Sequence, residues 1–82
     1  MHYKPSGVCC TGIDIDTEGS IIKEVKFTNG CSGNTQGIAR LVQGMEIDEA
    51  VKRLSGIRCG SKPSSCPDQL AKALIQIRNE AV

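Results

Sequence analysis

Two stretches of alternating apolar and polar residues near the N-terminus predict a β-hairpin. In VCCTGIDID at residues 8–16, Ile13 and Ile15 alternate with two aspartates, which is typical of a strand with one buried face. The stretch IIKEVKF at residues 21–27 repeats this alternation. The residues between them, TEGS, favour a turn, so the two strands should pair antiparallel with the aspartates on the solvent side.

Further along the chain, apolar residues recur every three or four positions, which predicts helices. The first predicted helix begins at Asn34 or Thr35, either of which can cap it, and ends at Gly44. The second runs from about Ile47 to Leu54, and the third from Cys66 or Pro67 to the C-terminus. Together these elements predict a single α+β domain over residues 1–82, in which a small antiparallel β-sheet packs against about three α-helices. Residues 1–7 are polar and include a proline and a glycine, so they are expected to form a loose N-terminal arm.

Charge and hydropathy exclude several classes of partner. The formal net charge is +1 and only two aromatic residues occur, Tyr3 and Phe27, so the chain lacks the basic surface and the stacking residues of a nucleic-acid-binding domain. No apolar run approaches the ~20 residues that span a membrane. The N-terminal stretch MHYKPSG has no apolar signal core, so a cytoplasmic location and reduced thiols are expected.

Cysteine is the residue type that points to chemistry. The 82 residues include five cysteines, which are Cys9, Cys10, Cys31, Cys59 and Cys66. All five fall at joints between predicted elements instead of within the apolar stripe of a helix. An odd number in a reducing setting favours metal or redox chemistry over a disulfide framework. No C-x-x-C pair is present, so this interpretation depends on the number and placement of the thiols.

The sequence around Cys66 predicts a helix start. Ser65 and Asp68 fit a capping box, in which Ser65 bonds the amide of Asp68 and the carboxylate of Asp68 reaches back to the Ser65 amide. Pro67 suits a first turn, where its missing N–H needs no partner. Cys66 is therefore expected in the first turn, where unpaired amides and the helix dipole favour the thiolate that binds metal or attacks disulfides.

A glycine-rich turn at residues 30–37 surrounds Cys31. Its glycine amides precede a predicted helix, which is the arrangement that holds a phosphate group in many nucleotide sites. Gly33 and Asn34 are the candidate cofactor-binding residues of this turn. The pattern GCSGN is short and common, so it supports a bound anion only weakly.

Four motifs in order carry a resemblance to a known family. They are GVC, GCSGNTQGI, GIRCG and SSCPDQLAKAL, and together they resemble the TSCPD domain over nearly the whole chain. The match is nearest to small stand-alone bacterial members, whose cysteines are proposed to bind metal. A related form of the domain occurs near the C-termini of some ribonucleotide reductases, notably adenosylcobalamin-dependent ones. Ser64 stands here where the threonine of the family name is expected.

The resemblance implies a set of metal ligands. Cys9, Cys31, Cys59 and Cys66 match the cysteines of the family, whereas Cys10 is an additional thiol that can serve as a substitute. A looser similarity to iron–sulfur cluster scaffold proteins implies that these cysteines gather at one end of the sheet around zinc or a cluster. The chain has too few strands for the full sheet of those scaffolds, so a homodimer is one way to complete the fold.

Three functions remain open on these grounds. The first is a cysteine-ligated zinc or iron–sulfur accessory or scaffold module that is not catalytic by itself. The second is a thiol-redox or assembly partner of ribonucleotide reductase, in which Cys59 and Cys66 exchange a disulfide. The third is a small cofactor- or nucleotide-binding protein that uses the turn at residues 30–37. The alternative to all three is that the thiols have no function and stay unligated in a reducing cell.

Enzymatic activity has little support in the sequence. The single histidine, His2, lies in the predicted arm, so a Ser–His–Asp triad is not expected.

Overall fold

The predicted hairpin forms the two long strands of a three-stranded antiparallel sheet. The structure, a computed structural model, describes residues 1–5, 8, 10–29, 32–57 and 64–80. Its elements are β1 (His2–Tyr3), β2 (Cys10–Glu18), β3 (Ile21–Asn29), α1 (Ser32–Val42), α2 (Ile47–Leu54) and α3 (Cys66–Glu80). The strand order is β1-β2-β3. The predicted α+β class is therefore confirmed, with a small antiparallel sheet and three helices.

The register of the hairpin buries one face of the sheet, as the alternation predicts. Ile13 pairs with Phe27 and Ile15 pairs with Val25. Both isoleucines are buried, while the intervening Asp14 side chain is exposed. Because side chains alternate between the two faces of a strand, a shift of one residue would expose both isoleucines. The hydrophobic pattern therefore specifies this register.

The loose arm predicted for residues 1–7 is wrong at its start. His2 and Tyr3 form β1 and pair with Asp14 and Ile13 of β2. The ammonium group of Met1 also donates a hydrogen bond to the carbonyl oxygen of Ile15, at 2.7 Å. The backbone groups along the edge of β2 need partners, and a short polar strand can supply them while its side chains face solvent. His2 is one such side chain, with Nδ1 2.8 Å from Oδ1 of Asp14.

The helices follow their predictions closely, except at the start of α1. α2 spans Ile47–Leu54, and α3 begins at Cys66, both as expected. α1 begins at Ser32, so Asn34 and Thr35 lie inside the helix instead of capping it. Thr35 is buried, because α1 packs against β3 along the face that carries this residue.

The connection between α1 and α2 covers one end of the sheet edge. The Ile22 amide donates to the Met45 carbonyl at 2.9 Å, and the Gly44 amide donates to the Ile22 carbonyl at 2.7 Å. Gly44 has a φ of 84°, a left-handed conformation that glycine adopts without strain. Beyond this contact, within the described residues, no strand pairs with the outer edge of β3 from Lys23 to Asn29.

The core lies between the buried face of the sheet and the helices. Its largest fully buried side chains are Ile13, Ile22, Leu70, Leu74 and Cys10. Four are aliphatic and none is aromatic, so this small core provides limited stability, and a further source such as a bound metal would add to it. Within the described ranges, no helix combines the length and the apolar character that crossing a membrane requires.

Candidate functional site

Two of the five cysteines fall within the described residues, and both are buried. Cys10 is the first residue of β2 and is 2% exposed, and Cys66 is the first residue of α3 and is 7% exposed. Both stand at the start of an element, as predicted, and both also belong to the hydrophobic core. Cys9, Cys31 and Cys59 lie outside the described residues. Their proposed roles as ligands stay predictions.

One half of the predicted capping box at α3 is confirmed. The amide of Asp68 donates to Oγ of Ser65 at 3.2 Å, which satisfies one of the first amides of the helix. The Ser65 hydroxyl in turn donates to the carbonyl oxygen of Ile57 at 2.6 Å. Ser65 therefore caps α3 and also ties it to the chain that follows α2.

The other half of the predicted capping box is wrong, because the Asp68 carboxylate is used elsewhere. Its Oδ1 accepts a hydrogen bond from the Gly56 amide at 2.7 Å, and its Oδ2 accepts one from the Ser64 hydroxyl at 2.5 Å. Gly56 follows the C-terminus of α2 with a φ of 83°, which turns the backbone out of the helix. The carboxylate thus joins the end of α2 to the start of α3.

A buried glutamine extends this polar network to the sheet. Gln69 is 3% exposed, and its Nε2 donates to Oγ of Ser64 at 2.9 Å. The hydroxyl of Tyr3 lies 3.5 Å from Oε1 of Gln69, at the limit of a hydrogen bond. The sequence does not identify Ser64, Gln69 and Tyr3 as members of one network. The sequence feature that could have indicated this network is the run of polar residues around Cys66, because polar residues at a buried helix start need hydrogen-bond partners.

The same hydrogen bonds hold the residues on either side of residues 58–63, the stretch of sequence that contains Cys59. Ile57 precedes this segment, and its carbonyl oxygen accepts from Ser65. Ser64 follows it and donates to Asp68, which also accepts from Gly56. The two residues that flank the segment are therefore both held at the first turn of α3, where Cys66 lies.

Asp68 is ionised in this setting although it is only 7% exposed. Burial raises the pKa of its carboxyl group. The hydrogen bonds from Ser64 and from the Gly56 amide, together with the nearby Lys72 ammonium group, lower the pKa by more, so the net pKa lies below its ordinary value of 3.8. Lys72 Nζ is 3.6 Å from Oδ2 of Asp68, one helical turn away. The negative charge is also favoured in the first turn of a helix by the helix dipole.

The contacts of α3 show that its first turn lies toward the open end of the hairpin. Tyr3, which approaches Gln69 of α3, pairs with Ile13 of β2. Near the other end of α3, Arg78 contacts Asp48 in the first turn of α2 at 2.8 Å, and that turn adjoins the hairpin loop through the Ile47 amide and the Ser20 carbonyl. α3 therefore runs from the open end of the hairpin toward its loop.

The open end of the hairpin is also where Cys10 lies. Cys10 pairs with Asn29, the last residue of β3. Asn29 has a φ of 62° and donates through Nδ2 to Oγ1 of Thr11 at 2.9 Å, so it turns the chain from β3 toward α1. Cys10, which follows Cys9, and Asn29, two residues before Cys31, thus lie side by side across the hairpin.

Comparison with known protein families decides the classification of this fold. A family model described as the TSCPD domain matches residues 1–78 of the chain. The chain belongs to the TSCPD domain family. The resemblance read from its motifs is therefore confirmed. Neither the curated proteins nor the solved structures contain a match to this chain.

The structure gives a physical reason for the motif in the family name. In this TSCPD domain the motif reads SSCPD, and its first and last residues, Ser64 and Asp68, are hydrogen-bonded to each other at 2.5 Å. A threonine carries the same hydroxyl and can make the same bond. The change from threonine to serine at residue 64 therefore preserves the interaction.

The proposed cofactor-binding residues lie in the first turn of α1. Gly33 and Asn34 are helical and exposed, whereas the sequence predicts them in a loop ahead of the helix. A side chain added at Gly33 would meet open space, so no close backbone approach within the described residues requires a glycine there. Binding of an anion by this TSCPD domain stays a prediction.

The chemistry of the donors suits a soft metal ion. Cysteine thiolates bind zinc and iron–sulfur clusters, and four of them complete a tetrahedral site. Within the described part of the chain, no group of three or more histidine, cysteine or acidic side chains is placed to hold a metal. A tetrathiolate site would therefore need thiols from among Cys9, Cys31 and Cys59 in addition to Cys66.

Proposed function

We propose that this TSCPD domain is a metal-binding accessory or scaffold module whose zinc ion or iron–sulfur cluster is held by cysteine thiolates. The proposed ligands are Cys9, Cys31, Cys59 and Cys66, with Cys10 as a substitute. The module is not catalytic by itself and works in the cytoplasm, where thiols stay reduced. It serves a partner protein, for which a ribonucleotide reductase is the candidate that the family resemblance suggests.

The observation that carries this proposal is that residues close in sequence to the proposed ligands meet in two pairs. Cys10, which follows Cys9, pairs with Asn29, two residues before Cys31. Ile57, two residues before Cys59, accepts a hydrogen bond from the residue that precedes Cys66. These neighbours come from β2, β3, the end of α2 and the start of α3, and α3 begins toward the open end of the hairpin.

The surroundings of Cys66 are suited to holding a ligand in place. Residues on either side of it are fixed by the capping bond from Ser65 and by the carboxylate of Asp68. These bonds fix the backbone on both sides of Cys66, and a rigid support of this kind holds a metal ligand in position. Metal binding would also add stability that the thin, aromatic-poor core does not provide.

A second candidate function is favoured by the hydrogen bonds of the residues on either side of residues 58–63. The hydrogen bond from Ser65 to Ile57 keeps the chain on either side of Cys59 close to Cys66. Under this second proposal Cys59 lies near Cys66, and two neighbouring thiols suit disulfide exchange with a partner such as a ribonucleotide reductase. A Cys59–Cys66 disulfide that thioredoxin reduces, in a preparation free of metal, would favour this function over metal binding.

Elemental analysis of anaerobically purified protein tests the proposal. We expect bound zinc or iron, with an absorption band in the visible range if the metal is an iron–sulfur cluster. We also expect four of the five thiols to be shielded from a thiol reagent until a chelator is added. A preparation without metal, in which all the thiols react freely, would contradict the proposal.

Two matched variants assign the metal to particular cysteines. Cys66→Ser should lose the metal, because it removes a proposed ligand. Cys10→Ser should keep it, because Cys9 supplies the ligand at that position. Both variants replace a buried thiol at the start of an element with a hydroxyl, so general damage to the core should affect them alike. Equal metal content in the two variants would rule out a specific role for Cys66.

A further inference from the structure

The two side chains of β1 lie on opposite sides of the sheet. That of His2 is 62% exposed, whereas Tyr3 is partly buried and packs against the hydrophobic core cluster that includes Cys66. Successive side chains of a strand point to opposite faces, and Tyr3 pairs with the buried Ile13, so it is turned toward the core. A strand of two residues therefore covers part of the core with one aromatic side chain.

The Tyr3 side chain approaches the side of α3 that carries Cys66. Its hydroxyl lies 3.5 Å from Oε1 of Gln69. Gln69 follows Cys66 by three residues, and residues three apart in a helix lie on the same side of it. Cys66 is 7% exposed in this arrangement. Tyr3 is therefore placed to shield the first turn of α3 from solvent.

The hydrogen bonds between Tyr3 and the first turn of α3 all run in one direction. The ionised carboxylate of Asp68 can only accept, so the Ser64 hydroxyl donates its single proton to it. Oγ of Ser64 then accepts from Nε2 of Gln69, and this leaves the amide oxygen of Gln69 to face the Tyr3 hydroxyl. The charge of Asp68 therefore sets the direction of each bond, and Tyr3 is the outermost donor of the row.

On its solvent side β1 is held by weak contacts. Nδ1 of His2 lies 2.8 Å from Oδ1 of Asp14, but both side chains are more than half exposed, and exposed pairs of this kind contribute little. The His2 ring lies close over Gly12, where an added Cβ would be 2.9 Å from Cε1 of the ring. A short strand with few buried contacts opens more readily than the rest of a fold.

We propose that residues 1–3 form a strap over the first turn of α3, and that opening of this strap controls access to the Cys66 thiol. Opening separates β1 from β2 and withdraws Tyr3 from Gln69, while β2, β3 and α3 stay folded. The use of the strap rests on the proposed function, because a metal or a disulfide partner must reach Cys66. The shielding itself is a property of the fold and is measured without reference to metal.

Two rates measured on the full chain under reducing conditions test the strap. Hydrogen exchange of the Ile15 amide, which donates to the Met1 carbonyl at 2.8 Å, reports opening of β1. Alkylation of Cys66 by iodoacetamide, followed by peptide mass spectrometry, reports access to the thiol. Tyr3→Ala should raise both rates by about tenfold or more, because the ring anchors β1 to the core. Gly12→Ala displaces the His2 ring without altering Tyr3 and should raise both rates by about two- to fivefold.

An exposed contact at the far end of α3 provides the matched control. Asp48→Ala removes the bond between Asp48 and Arg78, so it loosens α3 away from the strap and should change neither rate. Circular dichroism verifies that each variant is folded. Should Tyr3→Ala fail to fold, Tyr3→Phe keeps the ring, loses only the hydroxyl and should raise both rates by about threefold.

Two results would overturn the strap. One is faster exchange of the Ile15 amide in Gly12→Ala with no change in the alkylation of Cys66, which would mean that the thiol is reached by another route. The other is equal alkylation of Cys66 in the unmodified chain and in the Tyr3 variant. Metal analysis of the same samples separates the two proposals, because a preparation without metal contradicts the proposed function and leaves the expected ratios of rates unchanged.

Discussion

Replacing Asp68 with alanine is expected to lower the free energy of unfolding by about 3 kcal/mol, or about 1.5 kcal/mol for each of two hydrogen bonds to a charged group. The carboxylate accepts from the Gly56 amide and the Ser64 hydroxyl, and these two donors lose their acceptor in a place from which water is largely excluded. For a domain of this size, the melting temperature should fall by about 15 °C. Thermal or denaturant unfolding monitored by circular dichroism measures the change.

A second carboxylate provides the matched control. Asp48 also joins α2 to α3, through Arg78 at 2.8 Å, but its side chain is 73% exposed. Exposed ion pairs contribute little, so Asp48→Ala should change the free energy of unfolding by less than about 1 kcal/mol. Ser64→Thr keeps the hydroxyl that donates to Asp68 and should be nearly neutral. Equal effects of the two aspartate substitutions would contradict the structural role assigned to Asp68.

The contribution of Asp68 should also depend on pH. Its pKa in the folded state lies below the ordinary value of 3.8, so the unfolded chain binds a proton more readily than the folded chain. The stabilisation is therefore fully present above pH ~4 and is lost as the pH falls through the folded pKa. The difference in stability between the unmodified chain and Asp68→Asn should be constant near neutral pH and shrink in acid. A difference that grows in acid would show the opposite shift in pKa.

Removal of the metal is expected to lower the free energy of unfolding by at least as much as Asp68→Ala does. A ligand that binds only the folded chain, at a free concentration about 1,000 times its dissociation constant, stabilises the fold by about 4 kcal/mol. A chelator should therefore lower the melting temperature of the metal-loaded domain by about 20 °C. This loss is a large fraction of the stability of the domain, because no aromatic side chain is among the largest fully buried residues of the described core.

The proposed ligand Cys66 provides the control for this effect. If Cys66→Ser has already lost the metal, a chelator should not change its melting temperature further. The unmodified domain should regain its stability when the metal is returned under reducing conditions. The same melting curve with and without chelator, in protein shown to contain metal, would mean that the metal does not support the fold.

The elements with clear periodicity were predictable from the sequence. The alternation around Ile13 and Ile15 specifies the hairpin, and the apolar stripe of α2 matches its bounds of Ile47–Leu54. The start of α3 at Cys66 was predictable because capping by Ser65 is a local interaction. In each of these places the physical cause of the structure lies within a few residues of its effect.

The errors occur where the cause lies far along the chain. β1 has only two residues and no periodicity, and it forms because β2 offers an edge. α1 begins at Ser32, ahead of both predicted caps, because contact with β3 outweighs the low helix propensity of a glycine-rich stretch. The carboxylate of Asp68 accepts from the amide of Gly56 instead of from an amide of its own helix. Gly56 is twelve residues away in the sequence, and the end of α2 places it beside the carboxylate.

The candidate site was predictable in its residue types and not in its supporting network. The placement of Cys10 and Cys66 at element starts followed from the sequence, whereas their burial in the core did not. Polar residues next to a cysteine do not reveal which of them will be buried. Gln69 joins the network through Ser64, and its approach to Tyr3 depends on where the first turn of α3 lies relative to β1.

X-ray absorption spectroscopy of the metal in anaerobically prepared protein tests the proposed thiolate site most directly. The proposed site predicts a first shell of about four sulfur atoms at ~2.3 Å from the metal, the distance of a zinc–thiolate bond. It also predicts that this shell is lost in Cys66→Ser and retained in Cys10→Ser. A first shell of nitrogen and oxygen atoms at ~2.0–2.1 Å would contradict cysteine ligation.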